Sequence, residues 1–253
     1  MIRFQNVSFH YQNADAFGKQ QKTRGVDALT LHVKKGEFVV LAGDSGCGKT
    51  TVTRLINGLV PHYYEGELSG AVTVCGLDAA SSGIGDLAPH VGSVFQNPRS
   101  QFFNVDTTSE LAFASENLCT PPEEIRENIR RVAREMHIEQ LLDRSIFALS
   151  GGEKQKIAIA RALYKDSPFI VMDEPTAALD PLAEADIYAR LNEIIEDRTA
   201  VYISHRLSSC RFCDEIAVFH EGEIIQTGSH EELLSDEKGK YYELWQAQAQ
   251  YYV

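Results

Sequence analysis

Gly43-Asp44-Ser45-Gly46-Cys47-Gly48-Lys49-Thr50 is the stretch on which the reading of this chain turns. It fits G-x-x-x-x-G-K-[ST] at every fixed position. An apolar run, Phe38-Val39-Val40-Leu41-Ala42, precedes it, and Thr51-Val52-Thr53-Arg54-Leu55-Ile56 follows with the pattern of an amphipathic helix. Glycines let a backbone curl until successive N–H groups point inward at β- and γ-phosphates. The helix that starts there adds its positive N-terminal end. Lys49 supplies a point charge, and the Thr50 hydroxyl is placed to bind Mg²⁺. This strand–loop–helix predicts a nucleoside triphosphate site.

The 253 residues suffice for one large domain, or a core with a subdomain, burying a substantial interior. An apolar fraction of 43% and a charged fraction of 24% are those of an ordinary globular protein. The formal charge of −12 speaks against a nucleic-acid partner, which usually meets a basic patch. It does not oppose nucleotide binding, where amide dipoles and a lysine act locally. No apolar run approaches the roughly 18 residues of a membrane-spanning helix. Met1-Ile2-Arg3-Phe4-Gln5-Asn6 lacks the apolar core of a signal peptide. Five scattered cysteines predict a reduced, cytoplasmic chain. Cys210-Arg211-Phe212-Cys213 is a C-x-x-C with no second pair at zinc spacing, and reads as two small helix residues.

Along the chain, residues 2–9 alternate as an edge strand, and the polar stretch Gln12 to Gly25 predicts an exposed hairpin loop. Leu29, Leu31 and Val33 mark the next strand. After the Asn57-Gly58 helix stop come strand candidates at Ala71-Val72-Thr73-Val74 and Val91-Gly92-Ser93-Val94-Phe95. Residues 109–118 and 123–136 have helical periodicity, with Pro121-Pro122 between them, so 97–149 reads as a helical subdomain inserted in the core. Leu149-Ser150-Gly151-Gly152-Glu153 opens another helix. Phe169-Ile170-Val171-Met172-Asp173-Glu174 is a short apolar strand ending in two carboxylates, as a buried parallel strand would. A helix at 181–196, strands at 200–203 and 215–219 and a hairpin at Glu221-Gly222 follow. Alternating strands and helices indicate an α/β fold with a mostly parallel sheet. The final helix would be anchored by Leu244 and Trp245.

Four further features join the phosphate loop: Phe95-Gln96 after a strand, Leu149-Ser150-Gly151-Gly152-Glu153 at a helix opening, Asp173-Glu174-Pro175-Thr176-Ala177-Ala178-Leu179-Asp180, and Ser204-His205-Arg206. Five motifs in this order resemble the ATP-binding cassette ATPases over essentially all 253 residues. The resemblance implies a single cassette of P-loop NTPase fold, with an antiparallel β subdomain and a helical subdomain. It implies ATP and Mg²⁺ as ligands, with Gly43 to Thr51 around the phosphates and Thr50, Gln96 and Asp173 at the metal. Glu174 corresponds to the general base, and His205 to the switch histidine at the γ-phosphate; Gln96 and Lys49 complete the catalytic set. Tyr11 stands where the family stacks an aromatic on adenine, although a Tyr there could equally be core packing. Ser150, Gly151 and Gly152 would close over the ATP of a second cassette, and Asp180 would sit at the same interface, so hydrolysis would need two cassettes head to tail.

Residues 57–156 resemble energy-coupling-factor importer ATPases, through Asn57-Gly58-Leu59-Val60-Pro61-His62, Gln96-Asn97-Pro98-Arg99-Ser100-Gln101-Phe102-Phe103 and Glu110-Leu111-Ala112-Phe113. Residues 159–253 are similar to exporter cassettes, through Ile203-Ser204-His205-Arg206-Leu207 and Gly228-Ser229-His230-Glu231-Glu232-Leu233. The coupling contact of the family lies at the importer-like residues, and Asp143-Arg144-Ser145-Ile146-Phe147-Ala148 replaces the exporters' Val-Gly-Glu element. These weigh toward vitamin or micronutrient uptake through a separate membrane subunit docked near residues 97–118, at the cytoplasmic face of the membrane. Export, and a soluble cassette serving iron–sulfur assembly, are the alternatives.

Overall fold

The computed structural model describes residues 1–14, 20–176, 187 and 198–249. Two sheets organise the chain. The larger has six strands in the order β10-β9-β3-β8-β7-β6: β3 (Phe38–Gly43), β6 (Val91–Val94), β7 (Phe169–Asp173), β8 (Thr199–Ile203), β9 (Glu215–His220) and β10 (Glu223–Gly228). Five of these strands run parallel, and β10 closes one edge antiparallel to β9. The second sheet is antiparallel, in the order β2-β1-β4-β5: β1 (Ile2–Ala14), β2 (Gln20–Val33), β4 (Gly66–Val74) and β5 (Leu77–Asp78).

The central strands are apolar on both faces because each face has its own core. Val40 and Ala42 of β3, Ile170 and Met172 of β7, and Ala200 and Tyr202 of β8 enter one cluster. Their neighbours Val39, Leu41, Val171, Val201 and Ile203 enter the other. The two-residue period of a strand sorts a continuous apolar run onto opposite sides. Helix α1 (Lys49–Ile56) buries Val52, Leu55 and Ile56 in the second cluster, together with Ile2, Phe4 and Phe9 of the antiparallel sheet.

Between β6 and β7 lie α2 (Thr107–Asn117), α3 (Pro122–Glu135) and α4 (Gly151–Tyr164). Asp106 caps α2, accepting from Ser109 N. In α3, Ile125, Ile129, Val132 and Ala133 recur on one face and pack into the first cluster. After β10 come α5 (His230–Ser235) and α6 (Lys240–Ala249).

Two expectations need correction. Residues 2–9 are not at an edge: β1 lies between β2 and β4. The stretch Gln12 to Gly25 is not simply a loop, for β1 and β2 continue as a ribbon in which Gln12 pairs with Lys22 and Ala14 with Gln20. Ladder hydrogen bonds need no apolar side chains, and the Lys22–Glu67 ion pair at 2.7 Å adds a tie to β4. Leu244 and Trp245, half-buried, do pack against the first cluster, and Tyr241 joins them as a further anchor of α6, fully buried with its hydroxyl 2.7 Å from His230 Nδ1. Burial pushes the Tyr241 phenol well above its ordinary range. The helix expected at 181–196, apart from buried Ile187, and Asp180 lie outside the described residues.

Candidate nucleotide site

The phosphate-loop stretch begins at the last residue of β3 and ends as α1 starts, with Gly48 as N-cap at φ 105°. Gly43 adopts φ 140°, and a Cβ on it would meet Phe219 O at 2.3 Å; on Gly48 it would meet Gly25 O at the same distance. Both positions therefore exclude any side chain by conformation and by space. The Lys49 ammonium donates to Gly43 O at 2.8 Å and to Asp44 O at 2.6 Å, bracing the loop from within. Cys47 is buried in the loop, its carbonyl accepting from Gly222 N at 3.1 Å.

Three parallel strands deliver the other groups at their carboxyl ends, the edge where α/β sheets bind ligands. Gln96 follows β6, Glu174 follows β7 and His205 follows β8. They meet: Gln96 Nε2 donates to Glu174 Oε2 at 2.8 Å, and His205 Nε2 lies 2.5 Å from Glu174 Oε1. Glu174 is held at φ 46° with its N–H bonded to Ile203 O at 3.0 Å, a left-handed conformation uncommon for a side-chain-bearing residue.

A cavity of about 330 Å³ gathers Ser45, Gly46, Gly48, Lys49, Thr50 and Thr51 with Gln96, Glu174 and His205. Tyr11 lines it from β1, its hydroxyl 3.0 Å from Thr51 Oγ1. Gly43, Asp44 and Cys47 belong to the loop without lining this cavity, and Ser150, Gly151 and Gly152 lie outside it. Three lining residues escaped the sequence reading. Arg54 stands one turn beyond Thr50, donates to the Tyr11 hydroxyl at 3.0 Å and lies 4.2 Å from the Tyr64 ring centroid; its helical spacing could have shown it. Thr23 and Arg24 come from the ribbon that composition disguised as a loop.

Asp173, buried at the end of β7, is hydrogen-bonded to Thr50, and burial raises its carboxyl above the usual range. Its Oδ1 is buried with no hydrogen-bond partner among the described residues. An orphaned carboxylate oxygen on a residue bonded to Thr50, with the Gln96 amide in the cavity that Thr50 also lines, offers an all-oxygen donor set, the chemistry of a hard cation such as Mg²⁺. The residues present fit that ion.

Residues 26–177 match the sequence profile of the ABC transporter family, more than half of the chain. The chain belongs to the ABC transporter family. An ABC transporter ATP-binding protein of Treponema denticola is 43% identical to this cassette over 209 residues, covering 82% of this chain and 41% of its own. The chain spans about two fifths of the length of several such curated relatives. The cassette cbiO1 of Clostridium perfringens, part of the ABC transporter complex cbiONQ, aligns with TM-score 0.76 at 26% identity, over 94% of this chain and 91% of that one. A bacterial Atm1-family ABC exporter with ATP bound aligns with TM-score 0.80 at 30% identity, over 98% of this chain and 41% of that one. As the ATP-binding domain of this family, the cassette is an ATPase acting on ATP with Mg²⁺. No helix among the described residues is long and apolar enough to cross a membrane.

Proposed function

We propose that this cassette hydrolyses ATP in a head-to-tail pair of cassettes and so drives uptake of a vitamin or other micronutrient through a separate membrane subunit. The observation that carries the hydrolytic reading is Glu174, suspended between Gln96 and His205 beside the phosphate loop. Glu174 takes the proton of the attacking water, a step worth roughly 10²- to 10⁴-fold. His205 faces the γ-phosphate and stabilises the charge that spreads over it, while Lys49 and the loop N–H groups hold the phosphates. Thr50, Gln96 and Asp173 would hold Mg²⁺, which neutralises phosphate charge when bound. Tyr11 offers its ring to the adenine.

The geometry of Ser150 supports the paired arrangement. Its hydroxyl caps α4 by accepting from Glu153 N at 3.2 Å, and a Cβ on Gly151 would meet nothing within 4 Å. The helix tip is open and outside its own chain's cavity, free to close on a partner's ATP, and the family resemblance assigns Asp180 to the same interface.

The docking site for the membrane subunit is a groove of about 500 Å³ between the Gln96 segment and α2, lined by Phe95, Phe103, Phe113 and Leu118. Phe103 is 73% exposed and stacks on Phe113, with centroids 5.2 Å apart. An apolar helix of a membrane protein suits that lining and would hold the cassette at the cytoplasmic face. The export reading draws on the 30% identity to the Atm1-family exporter over 98% of this chain. Purifying the native complex from membranes separates the two: a small substrate-binding membrane protein with a coupling subunit is the expected result. Membrane spans on the same polypeptide as the cassette would overturn uptake through a separate subunit. Replacing Phe103 by Ala is expected to reduce transport while basal ATPase survives, and equal loss of both would remove the groove as the coupling surface.

A further inference from the structure

The last described helix reaches the catalytic edge of the sheet. Gln248, on α6, accepts from Leu207 N at 2.9 Å through its Oε1, and its Nε2 donates to His205 O. A primary amide bonded to the carbonyl of one residue and the N–H of the second residue after it reproduces half of a β-ladder with a single side chain. The peptide so gripped is the one from which the His205 imidazole leaves β8 toward Glu174. On its other side Ser204 Oγ binds both backbone groups of Arg206, accepting from N at 3.0 Å and donating to O at 2.9 Å. The helix itself is held by buried Tyr241 and by Lys240, whose ammonium lies 3.8 Å from Asp44 in the phosphate loop. Leu244 and Gln248 line a second cavity with Gly43, Ser45, Ser204 and His205.

We infer that Gln248 is a positioning residue for hydrolysis: its amide sets the backbone at His205 and thereby the distance from the imidazole to Glu174 and to the γ-phosphate. Gln248 touches neither ATP nor the reacting atoms. It acts through His205, and so rests on the reading of His205 given above. A misplacement of about 1 Å at a reacting group can cost on the order of 10²-fold in rate.

The test is steady-state ATPase of the full chain, with kcat and KM for ATP measured separately and thermal unfolding recorded for each variant. Gln248→Ala is expected to lower kcat roughly 10- to 100-fold while KM stays within about twofold and the unfolding temperature holds, because the loop and Tyr11 are untouched. Gln248→Glu keeps the acceptor for Leu207 N but sets an oxygen against His205 O, and is expected to lose rate as well. It carries the test if the alanine variant does not fold. Leu244→Ala, on the same helix, removes packing without the amide and is expected to lower stability while sparing kcat. In a His205→Ala background, Gln248→Ala is expected to add no further loss. Full kcat in both Gln248 variants, or the same kcat loss in Leu244→Ala, would overturn the inference. A His205→Ala variant with wild-type turnover would instead remove the reading of His205, whatever Gln248 does.

Discussion

Replacing Glu110 by Gln is expected to loosen the aromatic segment before α2 without touching the nucleotide cavity. Glu110 is fully buried. Its Oε1 accepts from Arg161 NH1 at 2.6 Å, and its Oε2 accepts from the backbone N–H groups of Phe103 and Asn104, both at 2.9 Å. Glutamine has the same shape but a single acceptor oxygen. Its NH₂ must face either the Arg161 guanidinium or two backbone donors, leaving donors unpaired in the interior. One such buried group costs about 1–3 kcal/mol, and a hydrogen bond to a charged partner about 1.5–3 kcal/mol. Part is relieved because Arg161 also binds Gln101 Oε1 at 3.1 Å, so the expected loss is about 2–3 kcal/mol. Alanine would remove the guanidinium's carboxylate partner and cost about 3–5 kcal/mol. Equilibrium urea unfolding measures this directly. In a chain of this size the glutamine variant should melt roughly 5–10 °C lower. A loss below about 0.5 kcal/mol, the ordinary scale of surface substitutions, would refute the reasoning.

Glu174→Gln should abolish turnover while trapping an ATP-bound pair of cassettes on size-exclusion chromatography; a variant still hydrolysing near the wild-type rate would remove Glu174 as base. Lys49→Ala should lose ATP binding itself, read by nucleotide titration. Burial lowers the Lys165 ammonium from 10.5 to about 8, beside its bond to Val91 O at 3.0 Å. The folded state then binds fewer protons than the unfolded one between those values, so this group's contribution to stability rises with pH from about 8 toward 10.5. Lys165→Met should flatten that part of the stability–pH profile, and an unchanged slope would contradict the assignment.

The phosphate loop was legible because its requirements are local: Gly43 and Gly48 each adopt a conformation that a side chain resists, and Lys49 and Thr50 follow in fixed steps. The central sheet was legible because strands such as β7, buried on both faces, carry no polar residue before Asp173 at the carboxyl end. The ribbon after Tyr11 was not. Its strands are held by backbone pairing and by ion pairs such as Lys22–Glu67, so composition alone reads it as a loop. That misreading also concealed Thr23 and Arg24 at the cavity. Nor could a linear reading show that Gln96, Glu174 and His205 share hydrogen bonds. Their meeting depends on strand order, which sets β7 between β6 and β8. Tyr241, which joins Leu244 and Trp245 in anchoring α6, has its hydroxyl satisfied inside by His230, a contact that no linear reading shows.

The claim on which the account rests is that each ATP is cut between the phosphate loop of one cassette and the Ser150 helix tip of another. Mixing two inactive variants tests it most directly. Lys49→Ala carries an intact tip, and Ser150→Arg carries an intact loop. Each alone should be inactive at all protein concentrations, and the mixture should recover ATPase, because every mixed pair rebuilds one complete site. A mixture as silent as its parts, or full activity in a dilute, strictly monomeric Ser150→Arg sample, would contradict the account.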